Sequence, residues 1–220
     1  MRIFLDTANI EQIRQAAKLG IVSGVTTNPS LLSKEATSDY EKVVKTICSI
    51  ITGPDTSVSV EVLAEDAESM IEEARIKASW APNVTIKIPA TADGLQAISA
   101  LGKENISVNM TLCFSVNQAL LGALAGTTYV SPFVGRLDDV GHDGMQLVKD
   151  IVDVYKNYPE LSTKVIAASI RHPLHCVVAA SAGAHIATVP YNVLMQMIQH
   201  PLTDVGISRF LADWKRVSQQ

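Results

Sequence analysis

The sequence is poor in aromatic side chains, has three cysteines without a CxxC spacing, and contains no run of lysine or arginine. It also holds no apolar stretch approaching the roughly 18 residues that a membrane helix needs. Each absence excludes something. Cys48, Cys113 and Cys176 are odd in number and unpaired by spacing, so neither a disulfide framework nor a zinc site is signalled. They read as reduced, buried thiols. A net charge of −4 without a basic run gives no reason to expect nucleic acid as a partner, and an anionic substrate would need local arginines instead. With no long apolar run, and a strand entered directly at the start, neither a membrane span nor a signal peptide is expected. The reading is a soluble, cytoplasmic protein. GxGxxG and GxxxxGK[ST] are missing as well, and with them the glycine-rich phosphate turn that a doubly wound sheet places after its first strand.

What the sequence does contain is alternation. In VTIKIPAT, residues 84–91, the aliphatic Val84, Ile86 and Ile88 alternate with Thr85 and Lys87, so a strand sends the lysine to the face opposite the aliphatics. Pro89 ends the strand and ADGLQAISALG follows with helical spacing. The same strand-then-helix sequence recurs from RIFLD at the start to HIATVP at 185–190. Two further helices near 191–199 and 204–216 close the chain. Asn9 with Gln12, and Ser38 with Glu41, carry the spacing of helix capping boxes. IVSGVTTNPS reads as a strand entering a proline-broken turn, and residues 137–144 as a Gly/Asp-rich loop. Eight alternations in 220 residues predict a (β/α)8 TIM barrel with an extra C-terminal helix, a single domain over 1–220.

In such a barrel catalytic groups gather at the carboxyl ends of the strands, on inward-facing positions. Parity then nominates Asp6 on strand one, Thr26 and Asn28 on strand two, and Glu61 on strand three. It nominates Lys87 on strand four, Asn109 and Thr111 on strand five, Ser131 and Phe133 on strand six, and Ser169 and Arg171 on strand seven. Taken alone, Asn28 or Ser131 reads as a strand-end turn former or a satisfied core polar group. Together, an amine, two carboxylates, hydroxyl and amide donors and arginines make a site for a sugar-phosphate lyase or transferase. A buried lysine there is suited to forming a Schiff base.

The runs GVTTNPS, VTIKIPAT, NMTLCFS, SPFVGRLDD and AASIRHP, with Asp6 in FLDT, closely resemble the transaldolases, in particular their short single-barrel subfamily. That subfamily includes the fructose 6-phosphate aldolases. The resemblance implies that Lys87 forms an imine with the ketone of fructose 6-phosphate or sedoheptulose 7-phosphate. It implies that Asp6 takes the C4 hydroxyl proton, and that Glu61 and Thr111 hold a water during imine formation. Thr26, Asn28, Asn109 and Ser131 would contact the ketose or the Schiff base. Arg136, Ser169 and Arg171 would hold the phosphate. No metal or organic cofactor is implied. Short members of the family assemble into rings, pentameric or decameric, with the C-terminal helix laid on a neighbour. Phe210, Leu211 and Trp214 form an apolar stripe suited to that, although packing on the chain's own barrel would explain them equally well.

Glu61 and Phe133 match the transaldolase form, whereas fructose 6-phosphate aldolases carry glutamine and tyrosine there. The resemblance therefore favours dihydroxyacetone transfer over release, with the aldolase as the alternative and a non-catalytic sugar-phosphate-binding barrel as a remote one. Asp138, Asp139, His142 and Asp143 read as a solvated loop and helix cap rather than metal ligands. His172 reads as a residue at the rim of the site, and His175 as helix packing.

Overall fold

Strands rich in Val, Ile and Ala are buried on both sides when helices cover one face of a parallel sheet and the barrel interior fills the other. The computed structural model describes residues 1–35 and 39–218. It contains β1 (Arg2–Asp6), β2 (Val22–Thr26), β3 (Ser57–Glu61), β4 (Val84–Pro89), β5 (Val108–Cys113), β6 (Tyr129–Pro132), β7 (Lys164–Ala167) and β8 (Ile186–Val189). Each pairs in parallel with the next and β8 closes on β1, giving the eight-stranded barrel. The helices between are α1 (Ile10–Ala17), α2 (Pro29–Leu32), α3 (Tyr40–Ile50), α4 (Ala67–Ala78), α5 (Ala92–Lys103), α6 (Val116–Leu124), α7 (Val134–Asp138), α8 (Gly144–Tyr155) and α9 (Pro173–Ala182). After β8 come α10 (Tyr191–Ile198) and α11 (Pro201–Val217).

Two apolar clusters follow from strand parity. The outward residues Leu5, Val25, Val58, Val60, Ile86, Ile88, Val108 and Met110 join the inner faces of the helices in one large core. A smaller cluster of Phe4, Tyr129, Ile166 and Ile186, drawn from four strands, plugs the lower part of the barrel interior. On the opposite side the interior is hydroxylic, with Ser57 and Thr85 bonded at 2.8 Å. Above this floor, the inward positions of the same strands carry the polar groups.

The expected elements are present, with corrections at their ends. The proline-broken turn after β2 contains the short helix α2, capped by Asn28, whose Oδ1 accepts from the Leu31 N–H at 2.9 Å. Part of the expected Gly/Asp loop is α7, which carries Arg136. The Asn9 cap forms, its Oδ1 accepting from the Gln12 N–H at 3.0 Å. The reciprocal half of that capping box runs through Thr7. Its hydroxyl donates to Gln12 Oε1 and accepts from the Asn9 N–H. Ser38 lies outside the described residues, and the cap seen on α3 is Asp39, which accepts from the Lys42 N–H.

The C-terminal stripe is decided against packing on the chain's own barrel. No residue of α11 is buried, and Phe210 and Trp214 are 73% and 68% exposed. The three cysteines are free and buried.

Candidate active site

Lys87 is an inward position near the carboxyl end of β4 and lies beside Glu61 in the register of β3 against β4. Its ammonium donates to Glu61 Oε2 at 2.9 Å and to the Thr27 backbone carbonyl at 3.2 Å, and the residue is buried. Glu61 is held from behind by its own backbone. The Tyr40 hydroxyl accepts from the Glu61 N–H at 3.3 Å, and the Lys77 ammonium donates to the Glu61 carbonyl at 2.7 Å. Lys77 is itself buried, paired with Glu73 at 2.6 Å and set over the Tyr40 ring. Nothing in the spacing of the sequence marks this supporting set.

Asp6 sits at the end of β1 within the same cavity. The Thr26 hydroxyl donates to Asp6 Oδ1 at 2.7 Å and also meets Thr188 Oγ1 at 2.5 Å. A hydroxyl has one proton, so with Thr26 donating to Asp6, Thr188 must donate to Thr26. Burial pushes the Asp6 carboxyl above the ordinary carboxylate range. The Thr26 bond and the Lys87 charge oppose that push, and the Glu61 charge adds to it.

The floor of the site is a second hydrogen-bonded line. Ser131 donates to Asn109 Oδ1 at 2.6 Å, and Asn109 donates to Ser59 Oγ at 3.2 Å. Both residues are buried and satisfied. Thr111 is one inward position further along β5. Its buried hydroxyl has no hydrogen-bond partner among the described residues.

The nominated groups Asp6, Thr26, Asn28, Lys87, Ser131, Phe133, Arg136, Ser169 and Arg171 all line one cavity of about 260 Å³. Glu61, Asn109 and Thr111 stand outside its lining, the first two being bonded to Lys87 and Ser131. Strand parity does not account for every position. β7 ends at Ala167 and β6 at Pro132, so Phe133, Ser169 and Arg171 are placed by the loops beyond. Phe133 bridges to Ala168, and Ser169 adopts a left-handed backbone with φ of 59°, an arrangement that costs on the order of 1 kcal/mol and is common at functional sites. Thr188, Ser30 and Lys34 also line the cavity and were not nominated. Thr188 shares parity with Ile186, so the same rule applied to β8 finds it. Lys34 follows a short helix and carries no periodic signal.

Arg136 and Arg171 form the cationic wall. Arg171 pairs with Asp139 at 2.6 Å, an exposed contact that a competing anion can displace at little cost. The Arg136 guanidinium lies 5.7 Å from the centre of the Phe133 ring, which makes a T-shaped contact with Phe114. Gly135 lets the two arginine-bearing segments meet. A Cβ there would come within 2.2 Å of the Ser169 carbonyl and 2.7 Å of the Arg171 side chain. Next to them, Asp143 caps α8 by accepting from the Gln146 N–H at 3.0 Å. His172 is exposed at the helix cap, its ring 3.8 Å from that of the buried His175. No group of three or more His, Cys, Asp or Glu side chains suited to a metal ion occurs among the described residues.

The chain as a whole has counterparts among known proteins. The family model described as Transaldolase/Fructose-6-phosphate aldolase matches residues 3–220. The chain belongs to this family. Among its relatives, a probable transaldolase of Dehalococcoides mccartyi is 66% identical over 219 residues and covers 100% of both chains. Probable transaldolases of Caldicellulosiruptor saccharolyticus and Desulforudis audaxviator are 57% and 58% identical over 220 residues, again covering 100% of both chains. A thiamine phosphate pyrophosphorylase from Pyrococcus furiosus aligns with a TM-score of 0.60 over 86% of this chain and 85% of its own. At 15% identity it shares the barrel alone. Within the transaldolase/fructose-6-phosphate aldolase family the chain is therefore an enzyme, with sugar phosphates as its substrate class.

Proposed function

We propose that this enzyme is a transaldolase. It would move a dihydroxyacetone unit from sedoheptulose 7-phosphate to glyceraldehyde 3-phosphate, giving erythrose 4-phosphate and fructose 6-phosphate. The reading rests most on the 2.9 Å contact between Lys87 Nζ and Glu61 Oε2 inside a cavity that Asp6 also lines. Lys87 must shed a proton to become a nucleophile, and Glu61 is placed to receive it. The neutral amine adds to the C2 ketone of the donor. Glu61 returns the proton as the carbinolamine loses water, with the unpartnered Thr111 hydroxyl available to that water. The resulting imine is protonated and draws electrons from the C3–C4 bond. As that bond breaks, Asp6 takes the C4 hydroxyl proton and the aldose phosphate leaves as an aldehyde. The enamine left on Lys87 attacks the acceptor aldehyde, Asp6 gives its proton to the new alkoxide, and water releases the ketose. Ordering groups of this kind and transferring these protons are each worth orders of magnitude in rate, about 10²–10⁴ for general acid–base catalysis.

Phe133 supports transfer over release. It offers the cavity a ring without a hydroxyl, so it cannot orient water toward the enamine or imine before the acceptor arrives. The alternative is a fructose 6-phosphate aldolase that frees dihydroxyacetone, an activity also named in the family description. Fructose 6-phosphate is the substrate that separates them. A transaldolase forms glyceraldehyde 3-phosphate from it in step with sedoheptulose 7-phosphate and only when erythrose 4-phosphate is supplied. Sustained product without acceptor makes the enzyme an aldolase.

The exposed apolar residues of α11, among them Leu202, Val205, Phe210, Leu211 and Trp214, favour a homo-oligomeric ring in which this helix covers a neighbouring copy. No helix among the described residues is long and apolar enough to cross a membrane. Together with the sugar-phosphate substrates, this fits a cytoplasmic enzyme of the pentose phosphate interconversions.

A further inference from the structure

The two arginines that line the cavity come from different loops, α7 and the turn between β7 and α9. A phosphate needs both guanidinium groups at once, so something must fix one loop against the other. At the start of α7 the fixing is done by backbone. The Val134 and Gly135 N–H groups donate to the Ala168 and Ser169 carbonyls, each at 3.0 Å. At its end the contact is made by side chains. His175 Nδ1 accepts from the Arg171 backbone N–H at 3.3 Å, and its Nε2 stands 3.1 Å from Asp138 Oδ2. The other oxygen of Asp138 accepts from the Gly144 N–H at 2.9 Å.

These bonds dictate one tautomer. An imidazole nitrogen that accepts from a backbone amide carries no proton, so the single ring proton is on Nε2, pointing at Asp138. Only neutral His175 in that form can bridge the Arg171 backbone to the last residue of α7, two positions beyond Arg136. A His175 reduced to helix packing would need neither bond.

We infer that His175 and Asp138 form a positioning brace that holds Arg171 and Arg136 in register as a single phosphate clamp. Neither residue lines the cavity, so their influence passes entirely through the arginine-bearing segments. The inference rests on the reading of this cavity as a sugar-phosphate site. It predicts a selective defect: recognition of the phosphate weakens, while chemistry at Lys87 on a donor without phosphate changes far less. A merely structural histidine would lower both together.

The test is the half-saturating concentration for borohydride-trapped adduct, measured with fructose 6-phosphate and with dihydroxyacetone, which has no phosphate. His175→Phe keeps the ring volume and removes both bonds. Asp138→Asn keeps an acceptor for Gly144 and presents an amide to the Nε2 proton. The expected result is a rise of about tenfold for fructose 6-phosphate relative to dihydroxyacetone in either variant, the scale of one lost hydrogen bond. His175→Asn, whose amide oxygen can still accept from the Arg171 N–H, should recover part of that ratio. An unchanged ratio in every folded variant overturns the brace, whether both concentrations rise or neither does. A wild-type enzyme that traps dihydroxyacetone but shows no preference for fructose 6-phosphate removes the sugar-phosphate reading, and the brace with it.

Discussion

The Lys77 ammonium donates to the backbone carbonyl of Glu61 at 2.7 Å, so one buried lysine holds the residue whose carboxylate pairs with another, Lys87. Their roles differ by their surroundings. Lys77 is locked between Glu73 and a carbonyl oxygen, outside the cavity, and Lys87 faces it. Replacing Lys77 with Met leaves a carbonyl and a half-buried carboxylate without their cation. We expect a stability loss of about 1–3 kcal/mol by urea denaturation, with kcat reduced more than KM is raised. Wild-type stability together with wild-type kcat would show that the Glu61 backbone needs no such support.

The Thr26 hydroxyl biases Asp6 toward its ionised form. Asp6 accepts a proton only as the carboxylate, so activity falls on the acid side as it becomes protonated. Burial raises its pKa and the Thr26 bond opposes the rise. Thr26→Val removes that opposition, and the acid limb of kcat/KM should move to higher pH. The stability sign agrees. A carboxyl whose folded pKa is raised above its unfolded value favours the folded state while protonated, and that contribution disappears as pH rises through the folded value. Thr26→Val should therefore cost more stability at neutral pH than in acid. An acid limb that stays in place or moves to lower pH would separate Thr26 from the ionisation of Asp6.

Phe133→Tyr adds a hydroxyl at the cavity wall beside Arg136. The proportion of fructose 6-phosphate turnover that ends as free dihydroxyacetone should rise severalfold, within the range of about tenfold that one positioned hydrogen bond supplies. The readout is dihydroxyacetone against sedoheptulose 7-phosphate at fixed acceptor. A constant partition would mean that release is governed elsewhere.

Deleting α11 from Pro201 onward should leave the barrel folded by circular dichroism, since none of its residues is buried against the rest of the chain. Light scattering should then report a smaller assembly than that of the full chain. An unchanged mass would place the subunit contact on another face.

The barrel was legible because its signal is periodic. The alternation in VTIKIP sets β4 at 84–89, and parity carried the inward set Asp6, Thr26, Glu61, Lys87, Asn109, Thr111 and Ser131 without any other information. The rule stops where strands stop. Asn28 is a helix cap, Phe133 lies past the end of β6, and Ser169 owes its direction to a left-handed backbone, none of which a period of two describes. The short helix α2 has four residues, too few to show a helical period. The Tyr40 and Lys77 contacts to Glu61 span 21 and 16 residues, and the brace from His175 to Asp138 joins α9 directly to α7. Such contacts are set by tertiary packing, so only the folded chain displays them.

The central claim is that Lys87 is the covalent nucleophile, and two buried lysines make it sharply testable. The enzyme is incubated with fructose 6-phosphate, reduced with borohydride, digested and mapped by mass spectrometry. The account predicts a reduced dihydroxyacetone adduct on Lys87, none on Lys77, and no adduct at all in Lys87→Ala. An adduct on Lys77, or one that survives Lys87→Ala, would contradict it.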